Sequence, residues 1–218
     1  MTPSIEGLYF VEKTKSSLQA GSLLPSAFLN VFHQLSDKAA RFIDSKAFTC
    51  SIPKGKFLVR HGQVCPYIFL VNRGIFRGFI IEGKAEITTW ITAENDLVSS
   101  ISSFFSQTPS LEYIQALEDS EMTALRFEDL EAAYQKFPEV NVAARLIFQK
   151  IYQQAEQRAY LTRITKASTR YAYFQEIQPE LVNRVQLKYV ASHLGMTLET
   201  LSRLRSAISK TYNEKVEK

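Results

Sequence analysis

The sequence predicts an α+β chain in three stretches: a roll of short antiparallel strands, one long helix, and a small helical end piece. Three observations predict it. Between residues 47 and 125, glycines at 55, 62, 74, 78 and 83 punctuate short β-branched and aromatic runs. After Pro138 the chain passes to Pro179 without a glycine or proline. Last, residues 160–218 hold ten basic and five acidic groups, a net +5, while residues 1–159 hold sixteen and seventeen, a net −1. The excess positive charge therefore lies in the last quarter, which points to a polyanion partner for that piece.

Composition narrows the function classes. The chain has 218 residues, 45% hydrophobic and 22% charged, the balance of a soluble globular protein able to bury its own core. Cys50 and Cys65 are too far apart and too alone for a metal knuckle or redox pair, so a reducing, cytoplasmic setting is expected. No apolar run reaches about 18 residues, and the first residues lack a basic-then-apolar leader, so neither a membrane partner nor a signal peptide is expected. A metal-dependent jelly-roll enzyme needs two or three histidines and an acid on neighbouring strands. The histidines here stand at 33, 61 and 193, in different segments, so the expectation is a non-enzyme with no metal site.

Each stretch has its own period. Residues 1–25 show none and are set aside as an N-terminal extension. From Ser26, the residues Phe28, Val31, Phe32 and Leu35 make one helical stripe. Residues 26–137 form the expected roll domain. Its strands are Phe57–Val59, Tyr67–Val71, Ile75–Ile81, Glu86–Ile91, Ile114–Asp119 and Met122–Phe127, with turns at 71–75 and 82–84. A short helix covers Glu128–Lys136. Pro138 then sits where a first-turn proline belongs. The helix from Glu139 to about Ile164 would span roughly 38 Å at 1.5 Å per residue. Val140, Ile147 and Leu161, interleaved with Ala144, Ile151 and Arg158, resemble a heptad seam broken by polar residues. Packing on its own domain would explain such a seam. The helix's length beyond the roll favours a second copy instead, a homodimer through residues 138–165.

Residues 166–218 carry the most specific pattern. Ser168 is the expected cap of a helix that Pro179 stops. Leu187, Val190, Ala191 and Leu194 then form one helix face, with Ala191 small where a second helix must cross. Gly195 permits the left-handed backbone that ends a helix, and Thr197 can cap the next one. Leu201, Leu204 and Ile208 bury that second helix. This is a helix-turn-helix pattern. Leu198, Glu199, Ser202 and Arg203 fall on the opposite face. Arg203 can give paired donors to guanine O6 and N7, Glu199 can accept from cytosine N4, and Leu198 can meet only a thymine methyl. An acid in a first helical turn is also stabilised by the helix dipole wherever it faces. Lys188, Thr197, Thr200 and Arg205 are the candidate phosphate contacts, which position without specifying.

With roll, long helix and helix-turn-helix in this order, residues 26 to 209 resemble the catabolite-activator (cyclic-AMP receptor) and FNR family of bacterial transcription regulators. Pro53–Gln63, Tyr67–Gly74 and Ile114–Asp119 carry the resemblance in the roll. It implies a cyclic-nucleotide-binding-like jelly roll. It also implies a homodimer on pseudo-palindromic double-stranded DNA and, for an activator, contact with RNA polymerase. The phosphate cassette departs from the family. Nucleotide-binding members place Gly-Glu-Leu and, about ten residues later, Arg-Ser-Ala, the glutamate on the ribose and the arginine on the cyclic phosphate. Ser99 and Ser100 stand for the Gly-Glu here, and Ser110 and Leu111 for the Arg-Ser. A buried phosphodiester without a cation is poorly compensated, and Glu156 on the long helix adds negative charge. Cyclic AMP is therefore not expected. The serines could bond a neutral or differently charged effector, or the pocket has filled in. Iron–sulfur and haem versions also fit badly: no cysteine precedes Cys50, and only His61 lies in the roll. Few residues follow Ser209, so the β-wing is expected to be reduced or absent. The expected function is a homodimeric, sequence-specific DNA-binding regulator without cyclic-AMP control. The alternative is a small-molecule-binding roll whose helix-turn-helix docks protein.

Overall fold

Glycine turns and alternating apolar runs give two four-stranded antiparallel sheets. The computed structural model describes residues 22–216, so residues 1–21 of the expected 1–25 extension lie outside the described residues. The strands are β1 (Phe48–Ile52), β2 (Phe57–Val59), β3 (Tyr67–Arg73), β4 (Phe76–Glu82), β5 (Ala85–Thr92), β6 (Leu97–Val98), β7 (Tyr113–Ala116) and β8 (Ser120–Arg126). One sheet has the order β1-β8-β3-β6 and the other β2-β7-β4-β5, which leaves β5 outermost. Between them Cys50, Leu58, Phe69, Phe76, Ile114 and Met122 form the roll's core. Each such side chain contributes about 1.5–3 kcal/mol on burial.

Two turns bring distant parts of the roll into register. Gly83, at φ +60°, closes the β4–β5 hairpin. Gly74 sits at φ +122° between β3 and β4, where an added Cβ would stand 2.1 Å from Ser120 Oγ. The β4–β5 ladder slips between Gly78 and Phe79, which pair with Trp90 and Thr88, so Thr89 is the extra residue of a bulge.

Four helices cover the first sheet. They are α1 (Pro25–Asn30), α2 (Asp37–Lys46), α4 (Phe127–Lys136) and the 26-residue α5 (Pro138–Arg163); α3 (Ile101–Ser106) lies between β6 and β7. Phe28, Ile43, Leu70, Phe104, Leu125 and Val140 share this second core. The C-terminal helices are α6 (Ala167–Ile177), α7 (Leu187–His193) and α8 (Leu198–Val216). Phe174, Leu181, Val190, Leu194 and Leu201 pack with Leu161 of α5 and with Ile75 and Ile91 of the roll. The C-terminal helices thus share a core with the second sheet.

Several expectations are corrected. The stripe from Ser26 breaks at Asn30, whose side chain accepts from Leu35 N at 2.8 Å, and Val31 is exposed. Strand β1 was not foreseen because threonine and serine interrupt it; it pairs with β8 along its whole length. Nor was α3, inside the serine-rich stretch. Ser168 lies within α6, which begins after Lys166 without a side-chain cap. Val140 and Ile147 face the chain's own roll, not outward as a seam. Ile208 is 47% exposed. Helix α8 extends to Val216.

Candidate functional site

The turn between α7 and α8 follows from its residues. Gly195 is at φ +61°, and Met196 N reaches back to Ala191 O at 3.0 Å, closing α7. Thr197 Oγ1 then accepts from Thr200 N at 3.2 Å and starts α8. Ala191 and Leu201 are buried at the crossing. The opposite face of α8 is open: Leu198, Glu199, Ser202 and Arg203 are all exposed. Glu199 is held below the ordinary carboxylate range, first by its own backbone N–H, then by the Thr197 hydroxyl and Arg203. Lys188 is exposed beside the Tyr189 ring. Two of the expected phosphate contacts are already engaged within the chain. Arg205 donates to Val182 O and to Asn183 Oδ1 at 3.2 Å, and the Thr200 hydroxyl pairs with Thr197.

The serine cluster is assembled but inward-looking. Ser110 Oγ donates to Ser100 Oγ at 2.9 Å, and Ser99 Oγ donates to Tyr67 O at 3.1 Å. Leu111 is 74% exposed, and Glu156 is exposed with Tyr160 O–H donating to it. Of these five residues only Ser99 reaches a neighbouring cavity of about 700 Å³. That cavity lies between β5, α5 and the C-terminal helices, and sequence reasoning missed its chemistry. Trp90 Nε1 donates to Glu112 Oε2 at 2.9 Å across it. Burial pushes the Glu112 carboxyl up, against the Trp90 and Ser100 hydrogen bonds. Arg158, on α5, places a guanidinium at the same cavity. Burial lowers its pKa while Asp96 and Glu112 raise it, and it makes no hydrogen bond or ion pair with any described residue. His193 Nδ1 and Thr89 Oγ1 are buried with no hydrogen-bond partner among the described residues. Burial, then Arg158, pulls the His193 pKa down to about 4, so its imidazole is neutral near pH 7.

The cavity exists because the C-terminal helices dock on β4 and β5. Ser192 Oγ accepts from Thr88 N at 2.9 Å and donates to Glu86 O at 3.0 Å. Arg77, 2% exposed, lies between the rings of Phe79 and Tyr189, 4.1 and 3.9 Å from their centres. It also donates to Gln115 at 2.7 and 2.9 Å and to Glu86 at 2.5 Å. Arg184 forks onto Glu94 at 2.8 and 2.9 Å and also reaches Glu118. That pairing holds the Glu94 carboxyl down to about 2.

Residues 49–137, which span most of the roll, match the family model of the cyclic nucleotide-binding domain. FixK2 from Bradyrhizobium japonicum superposes with a TM-score of 0.66 at 19% identity, over 76% of this chain and 85% of that one. The chain has the Crp/Fnr fold. A Crp/Fnr-family transcriptional regulator from Eubacterium rectale gives 0.62 at 18%, over 81% of this chain and 85% of that one. The c-di-GMP-responsive global regulator CLP of Xanthomonas campestris gives 0.63 at 13%, over 81% and 93%. No curated protein matches the sequence. Among the described residues no helix is long and apolar enough to cross a membrane, and no cluster of three or more His, Cys, Asp or Glu could hold a metal ion. Within the Crp/Fnr fold the cavity lies where roll, long helix and C-terminal helices meet, and the α8 face points away from the roll's core.

Proposed function

We propose that the chain is a homodimeric, sequence-specific DNA-binding transcription regulator and not an enzyme. The observation that carries this reading is the α8 face: Glu199, Ser202 and Arg203 stand exposed on a helix whose start is fixed by Gly195 and Thr197. In this reading residues 166–218 are the helix-turn-helix domain, 138–165 the dimer helix and 26–137 the effector-type roll. The dimer face of α5 is the side carrying exposed Tyr152 and Tyr160, since Val140 and Ile147 face the roll. Two copies of α8 would enter successive major grooves about 34–36 Å apart. Arg203 reads guanine, Glu199 and Leu198 tune neighbouring positions, Ser202 adds an adaptable contact, and Lys188 with Thr197 positions the phosphates.

Selection from a random duplex library without ligand, at two salt concentrations, tests the reading. A two-fold-symmetric site is expected, with affinity falling steeply with salt as counterions are released. Arg203→Ala should cost about 1–3 kcal/mol at one base position and relax specificity there, while Lys188→Ala should weaken all duplexes alike and lower the salt slope by about one. Cyclic AMP should leave the affinity unchanged, because the Ser100 and Ser110 hydroxyls bond each other where the cassette would take a phosphate. No enriched site at low salt would instead favour a helix pair that docks protein.

A further inference from the structure

We infer that Arg170 is a positioning residue for DNA recognition. Its guanidinium clamps the linker after the long helix to the turn that precedes α8, and so fixes the spacing of the half-sites that two chains read. The inference deepens the regulator reading and rests on it for the DNA; the clamp itself is measured in the free chain.

The linker is too short and too open to set an angle by itself. Helix α5 ends at Arg163 and α6 begins at Ala167, so Ile164, Thr165 and Lys166 join them. Ile164 and Lys166 are extended, at ψ 119° and 112°. The extended region of backbone space is broad, so small changes there swing everything beyond. Among the described residues Arg170 is the one side chain that hydrogen-bonds this linker. Its Nη1 donates to Ile164 O at 2.5 Å and to Thr165 O at 3.2 Å. Its Nη2 donates to Gly195 O at 3.2 Å. One rigid plane thus joins the end of α5 to the α7–α8 turn, 25 residues beyond Arg170. The docking on β5 holds the C-terminal helices to the roll; Arg170 holds them to the long helix.

Stability alone does not account for the arrangement. Arg170 Nε is buried with no hydrogen-bond partner among the described residues, and no described carboxylate forms an ion pair with the group. A buried donor left unpaired is costly. The partial negative charge at the C-terminal end of α5 offsets the cation. The side chain forgoes one donor and an acid partner in order to hold three backbone carbonyls on two segments. What it supplies is geometry, and the geometry has a reader. Helix α8 starts three residues after Gly195, and α5 is the dimer helix of the proposed function. The contact between linker and turn is therefore the link between the two-fold axis and each reading helix. One base pair of spacing is about 3.4 Å of duplex axis, and a loose linker would accept half-sites shifted by that much. Lysine cannot replace the fork, because a point charge on a flexible stem does not pin two segments at once.

The test compares the parent, Arg170→Met and Arg170→Lys on duplexes that carry the enriched half-sites at the selected spacing and at one base pair more or less. The parent should bind the shifted duplexes about tenfold more weakly. Arg170→Met should keep the half-site sequence, lose about tenfold on the selected duplex as the competent population falls to about a tenth, and bind all three spacings within about twofold. Arg170→Lys should behave as Arg170→Met. The half-site sequence is the control, because a helix pair that had merely come apart would lose it. A second readout needs no DNA. Spin labels are placed through Gln157→Cys and Ser206→Cys, both exposed, while Cys50 and Cys65 are buried; labelled chain is diluted into unlabelled chain. The distance distribution should be narrow with Arg170 present and broad in Arg170→Met. Equal widths, a parent indifferent to spacing, or spacing selectivity that survives in Arg170→Met or Arg170→Lys overturns the clamp. If the parent enriches no duplex, the regulator reading falls and the label widths alone decide the clamp.

Discussion

Replacing Gly74 by alanine is expected to destabilise the chain by about 3 kcal/mol or more, from backbone strain plus overpacking. At φ +122° any L side chain is strained. The new Cβ would also meet Ser120 Oγ at 2.1 Å, its Cβ at 2.4 Å and its Cα at 2.9 Å. A hydroxyl can rotate away, but the Ser120 Cα belongs to β8 and cannot move without shifting the sheet. The turn is also tied to the docked helices: Gly74 N donates to Glu94 Oε1 at 2.8 Å, and Glu94 holds Arg184. Urea denaturation of Gly74→Ala beside Gly83→Ala separates the two causes. Gly83 has φ +60° and nothing within 4 Å of an added Cβ, so only the backbone term, about 1–2 kcal/mol, should appear there. Equal losses in the two variants would show that the approach to Ser120 carries no weight.

Stability should fall between pH 6.5 and pH 4 because of His193. In the folded chain its pKa is about 4 against 6.5 for the free side chain. Above pH 6.5 the imidazole is neutral in both states and contributes no slope. As pH falls through 6.5 the unfolded chain gains a proton that the folded chain refuses, so unfolding becomes easier. Below pH 4 both states are protonated and the slope ends. Integrated, this is on the order of 3 kcal/mol. The groups facing the ring set the window: Arg158 disfavours the cation, while the backbone of Thr88 and Thr89 favours it. His193→Phe keeps an aromatic edge against Phe174 and should flatten this limb in urea melts taken from pH 7 to pH 4. Glu94 acts in a lower window. Its pKa is lowered from 4.5 to about 2, so its contribution is complete above 4.5 and is lost toward 2. A wild-type slope that persists in His193→Phe between pH 6.5 and pH 4.5 would assign the effect to other groups.

What the sequence disclosed was local. Gly83, Gly195 and Thr197 act through their own backbone or a residue three away, and the α7–α8 turn was legible from them. The long helix was legible because nothing between Glu139 and Arg163 breaks a helix. The cavity was not, because Trp90, Glu112, Arg158 and His193 come from four separate segments with no shared spacing. The choice of Glu156 shows the difficulty on a single helix. Two residues along α5 is a rotation of about 200°, so Glu156 turns to solvent while Arg158 turns inward. Strand β1 was hidden for a different reason: Thr49 and Ser51 lie on its outer side, and only Cys50 and Ile52 are buried. The family resemblance pointed to the 99–111 loop, and the hydrogen bonds of Ser99, Ser100 and Ser110 depend on where that loop folds.

The hydroxyl of Ser192 has one more consequence. Strand β5 ends its sheet, and a terminal strand offers unpaired N–H and C=O groups to any extended chain that meets it. By engaging Thr88 N and Glu86 O together, Ser192 occupies the hydrogen-bonding positions that a foreign strand would use. Swinging the C-terminal helices away to meet a partner would uncover that ribbon. Opening of that contact would therefore carry a liability to edge-to-edge association. A chain in which this docking is weakened, by Ser192→Ala with Arg184→Ala, should form more sheet-rich aggregate than the parent at the same concentration.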